Sequence, residues 1–69
     1  MESIAVTVNG ETRQVRSGES VAALLRTLNI APDRIAVELN KNIVRKRDWE
    51  QTQVPEGARI EIVEFVGGG

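Results

Sequence analysis

Only one stretch of this chain spaces its apolar residues for a helix: Val21, Leu24, Leu25 and Leu28 fall on a single stripe. Both ends of that stretch are marked. Ser20 is a suitable N-cap, Asn29 can take the left-handed position that ends a helix, and Pro32 prevents continuation. The spacing therefore predicts a helix from Val21 to Leu28, too short to persist in water unless it packs on a sheet. That requirement decides what the rest of the chain must do.

The rest of the chain supplies the strands. Ile4, Val6 and Val8 alternate, and Asn9-Gly10 is the dipeptide that favours a type I′ hairpin turn. The returning strand, Glu11 to Arg16, has Val15 as its one clear aliphatic residue, which suits a charged edge. Ser17-Gly18-Glu19 closes it. After the helix, Ile35, Val37 and Leu39 alternate, and Asn40-Lys41-Asn42 makes a turn before Ile43-Val44, giving a second hairpin. From Arg45 to Gln53 the periodicity is weak; Trp49 is its apolar anchor, and an irregular connection or short helical turn is expected. Pro55-Glu56-Gly57 signals a turn, and Arg59 to Val66 is the longest strand candidate, with Ile60 and Ile62 facing one way and Glu61, Val63 and Phe65 the other.

The order ββαββ implies an α+β layer, a mixed sheet wrapped over one helix, with the last strand central and parallel to the first. The expected core is Ile4, Val6, Val15, Leu24, Leu25, Leu28, Val37, Leu39, Ile60 and Ile62. With 69 residues there is room for one domain, expected over residues 1–66. With no Cys, neither disulfides nor a Cys-based zinc site can reinforce it.

The chemical inventory excludes more than it offers. His, Cys and Tyr are all absent, so the common acid-base and nucleophilic partnerships cannot be assembled, and a domain this small has little room for a substrate pocket. Catalysis by this chain is not expected. A formal charge of −1 gives no overall footprint for nucleic acid. Lys41, Arg45, Lys46 and Arg47 form one basic concentration, but Asp48 and Glu50 dilute it, and a solvated face is the expectation. Asp33, Glu38, Glu61 and Glu64 show no metal-ligand spacing. Nothing resembles a secretion signal or a membrane span, so a cytoplasmic protein is expected.

What remains is the end of the chain. Gly67, Gly68 and Gly69 lack Cβ atoms, so this segment can thread a narrow channel closed to bulkier residues. Three extended residues reach about 10 Å, enough to carry the terminal carboxylate from the domain surface into a neighbour's active site. A glycine run at a terminus is otherwise read as frayed chain. Its place directly after a strand, with no linker between, favours a working tail at 67–69. A carboxylate becomes a useful electrophile once it has attacked the α-phosphate of ATP, because the acyl-adenylate can then be displaced by a sulfur donor.

Asn9-Gly10, the Ser20-Val21-Ala22-Ala23-Leu24-Leu25 helix, Val37-Glu38-Leu39-Asn40, Ile43-Val44, Trp49, Gly57 and the Gly67-Gly68-Gly69 end together resemble the ThiS family, the ubiquitin-like β-grasp sulfur carriers of thiamine biosynthesis. The resemblance covers nearly the whole chain. It implies that Gly69 is adenylated by an E1-like, ATP- and Mg-using partner and then converted to a thiocarboxylate. A sulfur-donor protein would supply that sulfur, and thiazole synthase would accept it. It also implies that Gly67 and Gly68 occupy the partner's channel, and that the chain, a monomer when free, binds no cofactor of its own. One departure is Arg45, where the family often has proline after the Ile-Val pair. A carrier for molybdopterin or cysteine synthesis shares the chemistry. A ubiquitin-like binding module or protein modifier is the alternative from another class.

The candidate partner surface is the sheet face away from the helix, with Val63 and Phe65 beside Ala5 and Thr7. Two readings of Phe65 stand at this point: an exposed contact for a partner, or a ring folded over the edge of the core.

Overall fold

Two hairpins turn on the same device. Asn9 and Gly10 have φ of 50° and 85°, and Asn40 and Lys41 have φ of 51° and 73°. Positive φ at both central residues is the type I′ geometry, whose twist matches that of the flanking strands. The first turn joins β1 (Ser3–Val8) to β2 (Glu11–Arg16), and the second joins β3 (Ile35–Leu39) to β4 (Asn42–Val44). Between them lies α1 (Val21–Thr27), and after them a 3-10 turn (Lys46–Asp48) and β5 (Arg59–Glu64). The computed structural model describes residues 2–65. The proposed tail at 67–69 and the expected strand end at Val66 lie outside the described residues.

The five strands form one sheet in the order β2-β1-β5-β3-β4. β5 is central, parallel to β1 and antiparallel to β3, so the last strand fills the gap between the two hairpins. This is the ubiquitin-like β-grasp fold, a mixed sheet holding a single helix.

The helix persists because its ends are satisfied by the rest of the chain. Val21 N–H donates to the Thr52 carbonyl at 2.8 Å, Ala22 N–H to the Trp49 carbonyl at 3.0 Å, and Ala23 N–H to Ser20 Oγ at 3.1 Å. These are amides that a helix start leaves without intrahelical partners. At the other end Asn29 adopts φ 60°, its N–H donates to the Arg26 carbonyl, and Ile30 N–H donates to the Leu25 carbonyl at 2.9 Å. That pairing is a Schellman motif, and Ile30 packs back on the core as the motif usually requires.

The core lies between α1 and the inner face of the sheet. Leu24, Ile60, Val6, Val21 and Val37 are its most enclosed side chains. Three expected core members, Leu28, Leu39 and Ile62, are only half-buried and pack around its edge. Six residues outside the expected list are buried: Val8, Val21, Ala22, Trp49, Val54 and Ala58. Val54 and Ala58 come from the irregular segment before β5, whose backbone bonds to Glu19 at Val54 and runs beside β1 at Gly57 and Ala58. Trp49, the expected anchor, is 5% exposed, and its Nε1–H donates to the Val44 carbonyl at 2.8 Å. One indole thus ties the 3-10 turn to the end of β4 while filling the floor of the core.

Candidate functional site

β5 delivers the C-terminus, so the site is built from what holds that strand. Its odd-numbered residues bond to β3: Asn40 N–H donates to the Arg59 carbonyl at 2.8 Å, and Phe65 N–H donates to the Arg34 carbonyl at 2.7 Å. Its even-numbered residues face β1, where Asn9 N–H donates to the Ile60 carbonyl at 2.9 Å. The strand is hydrogen-bonded on both sides as far as Ile60 and on the β3 side as far as Phe65, so the sheet sets the direction of the chain there. Gly67, Gly68 and Gly69, the expected working residues, lie outside the described residues, beginning two positions beyond this point.

The outer face of the sheet follows from register, because directly paired residues point to the same side. Ile43 pairs with Glu38, which pairs with Glu61, and Ala36 pairs with Val63. Val63 is 55% exposed, Phe65 54% and Ile43 70%. Phe65 therefore stands in solvent and does not fold over the core. The expected neighbours of Val63 need correction. Thr7 is level with Arg59 in the parallel pair, so Ala5 and Thr7 share the outer face but lie toward the start of β5, and the neighbour of Val63 is Ala36. Ile43 is the exposed apolar residue that sequence reasoning missed. Its signal was present, since Val44 next to it is the half-buried partner of the core residue Val37, and alternation then puts Ile43 outside.

The same register brings Glu38 and Glu61 directly opposite each other, although they looked like unrelated surface charges on separate elements. Among the described residues no cluster of three potential ligand side chains is close enough to hold a metal ion. The basic concentration is dispersed: Lys41 sits in the β3–β4 turn, and Arg47 pairs with Asp48 at 3.8 Å. Space for small molecules is greater than the chain length suggested, in the form of open grooves. One lies between α1 and the 3-10 turn, lined by Leu25, Arg26, Ile30, Pro32, Lys46 and Trp49, with Arg26 paired to Glu50 at 3.2 Å across it. No helix among the described residues is long and apolar enough to cross a membrane.

The model of the ThiS family matches residues 6–69. The chain is 30% identical over 61 residues to the sulfur carrier protein ThiS of Escherichia coli K12, covering 88% of this chain and 92% of that protein. The crystal structure of the thiamine biosynthesis protein ThiS from Geobacter metallireducens superposes with a TM-score of 0.83 at 32% identity, covering 96% of this chain and all of that one. A thiazole synthase of Paramagnetospirillum magneticum is 42% identical over 62 residues, which is 90% of this chain. The chain spans only 19% of that relative's length.

Proposed function

This chain belongs to the ThiS family, as a sulfur carrier of thiamine biosynthesis, and from that premise we propose that its working group is the carboxylate of Gly69. The carboxylate attacks the α-phosphate of ATP in the active site of an E1-like enzyme, giving an acyl-adenylate and releasing pyrophosphate. A hydrosulfide-equivalent nucleophile from a sulfur-donor protein then displaces AMP, and the product is a terminal thiocarboxylate. The chain is a co-substrate in these steps; the enzyme supplies the ATP site and its Mg. Gly67 and Gly68 thread the channel, since any Cβ there would widen the tail.

The observation that carries this reading is the position of β5. A central strand, paired on both sides in its first half and with β3 to its end, leads to a half-exposed Phe65 two residues before three glycines. Rigid delivery of a thin segment is what a partner with a buried active site requires. Val63 and Phe65, with Ile43 and Ala36 on the same face and Glu38 and Glu61 between Ile43 and Val63, form the mixed apolar and acidic surface on which the partner docks while the tail reaches inward.

Thiazole synthase is the proposed acceptor. In support, the segment of the Paramagnetospirillum magneticum thiazole synthase that resembles this chain is a minor part of a much longer protein, so a carrier-like segment and a protein of that name occur there in one polypeptide.

The test is intact-protein mass spectrometry after expression in a host that retains its sulfur-transfer enzymes. The expected product carries one oxygen-to-sulfur exchange, located at Gly69 by fragmentation. A carboxylate left unmodified by a cognate activating enzyme, ATP and a sulfur source would remove the proposal and favour a binding module or lysine-conjugated modifier.

A further inference from the structure

The asparagines that open the two type I′ turns both aim their side chains at β5. Asn40 Oδ1 accepts from Arg59 N–H at 2.8 Å, at the start of the strand. Asn9 does more: its Oδ1 accepts from Ile62 N–H at 2.8 Å and its Nδ2 donates to the Ile62 carbonyl at 3.3 Å. β1 turns away after Val8, which is level with Ile60, so no backbone of β1 remains to pair with Ile62. The carboxamide, with one acceptor and one donor, imitates the missing peptide group.

We infer that Asn9 is a positioning residue for the C-terminal tail: its side chain continues the β1 edge by one residue and fixes where β5 leaves the sheet. Beyond Ile62 the strand is held by β3 alone, ending with the Phe65 to Arg34 bond. Ile62 and Gly69 are seven positions apart (69 − 62). Releasing Ile62 moves the last anchor on the β1 side back to Ile60 and leaves Glu61 to Phe65 held from the β3 side alone, so that this stretch can hinge about that edge and the carboxylate is aimed less narrowly. The turn itself does not demand Asn, because glycine accepts φ 50° without strain and aspartate accepts it with little. The demand for a group that both accepts and donates comes from Ile62.

The inference rests on the proposed role of the tail, and the experiment separates the two. N9G keeps the turn and removes the amide; N9D keeps the acceptor for Ile62 N–H but sets a carboxylate against the Ile62 carbonyl. Amide hydrogen exchange at Ile62 should quicken about three- to tenfold in N9G, the effect of losing the one ordinary hydrogen bond that its N–H makes to Asn9. With the cognate adenylating enzyme, ATP–pyrophosphate exchange should show the KM for the carrier rising by about the same factor, with kcat little changed and N9D between N9G and wild type. S20A, which loses the helix cap, lowers stability away from β5 and should leave that KM unchanged. Adenylation of wild type with the same KM for N9G, or a KM that rises equally in S20A, would overturn the role of Asn9 alone. A wild-type chain that is not adenylated would overturn the proposed function beneath it.

Discussion

Replacing Trp49 by phenylalanine separates the two jobs of the indole. The ring is 5% exposed, and its Nε1–H donates to the Val44 carbonyl at 2.8 Å. Phenylalanine cannot donate, and losing that bond costs about 1 kcal/mol, held down because half-buried Val44 lets water reach its carbonyl. The smaller ring leaves roughly 40 Å³ unfilled, which at about 24 cal/mol per Å³ adds about 1 kcal/mol, with some further loss of transfer energy. The total is about 2 to 3 kcal/mol. The bond from Ala22 N–H to the Trp49 backbone carbonyl is untouched, so the helix start is preserved and the indole alone is tested. Small domains of this size rarely hold more than about 3 to 5 kcal/mol, so W49F should lose about half its stability. At about 4 to 8 °C per kcal/mol the thermal midpoint should fall by roughly 10 to 20 °C. Circular dichroism is the assay, since the variant has no tryptophan left to report. A loss below about 0.5 kcal/mol would refute the account of Trp49 as a structural tie and would reopen a role for it at the surface.

Other consequences can be checked alongside. Arg45 has φ −71° and ψ 149°, values proline adopts readily, and its amide donates to no carbonyl among the described residues. R45P should therefore raise stability by about 0.4 to 1 kcal/mol in urea titrations, and a destabilised variant would show that the connection moves. Glu38 and Glu61 face each other across β3 and β5, so E61K should raise the thermal midpoint through a gain of about 0.2 to 1 kcal/mol, most of it lost in high salt. A salt-independent gain would point to another cause. Deleting Gly69 should abolish activation by the adenylating enzyme while hardly moving the thermal midpoint, because the buried residues of the described core lie at or before Ile60. If the deletion instead lowered the midpoint by many degrees, the tail would have a structural role. G68V should impair adenylation and leave folding intact; unchanged kinetics would contradict the narrow-channel argument.

Much of the fold is legible in the residues because its local signals agree with one another. Asn9-Gly10 forms the type I′ turn it favours, a turn stands at Asn40-Lys41 as expected although lysine is no favoured residue at φ 73°, Ser20 caps α1 with its own hydroxyl, and Val15 is the one buried residue of the edge strand β2. The core was less legible where it depends on the path of irregular backbone. Val54 sits in no periodic pattern, and Ala58, although it continues the alternation of Ile60 and Ile62, lies before the expected start of the strand; the path of the segment before β5 buries both. Leu28, Leu39 and Ile62 carry the right periodicity but lie at the margin of a seven-residue helix, which cannot cover the whole inner face of five strands.

The candidate site divides along the same line. That the chain ends in three glycines, lacks the usual catalytic side chains and places a strand before its tail follows from the sequence, because composition and spacing are local properties. That Phe65 stands in solvent, that Ile43 joins Val63 on one face, and that Glu38 meets Glu61 follows only from the pairing of strands distant in the chain. Asn9 shows the difference within a single residue. Its turn conformation follows from its own chemistry and that of Gly10, whereas its two hydrogen bonds to Ile62 exist only because β5 enters the sheet beside β1, 53 residues later.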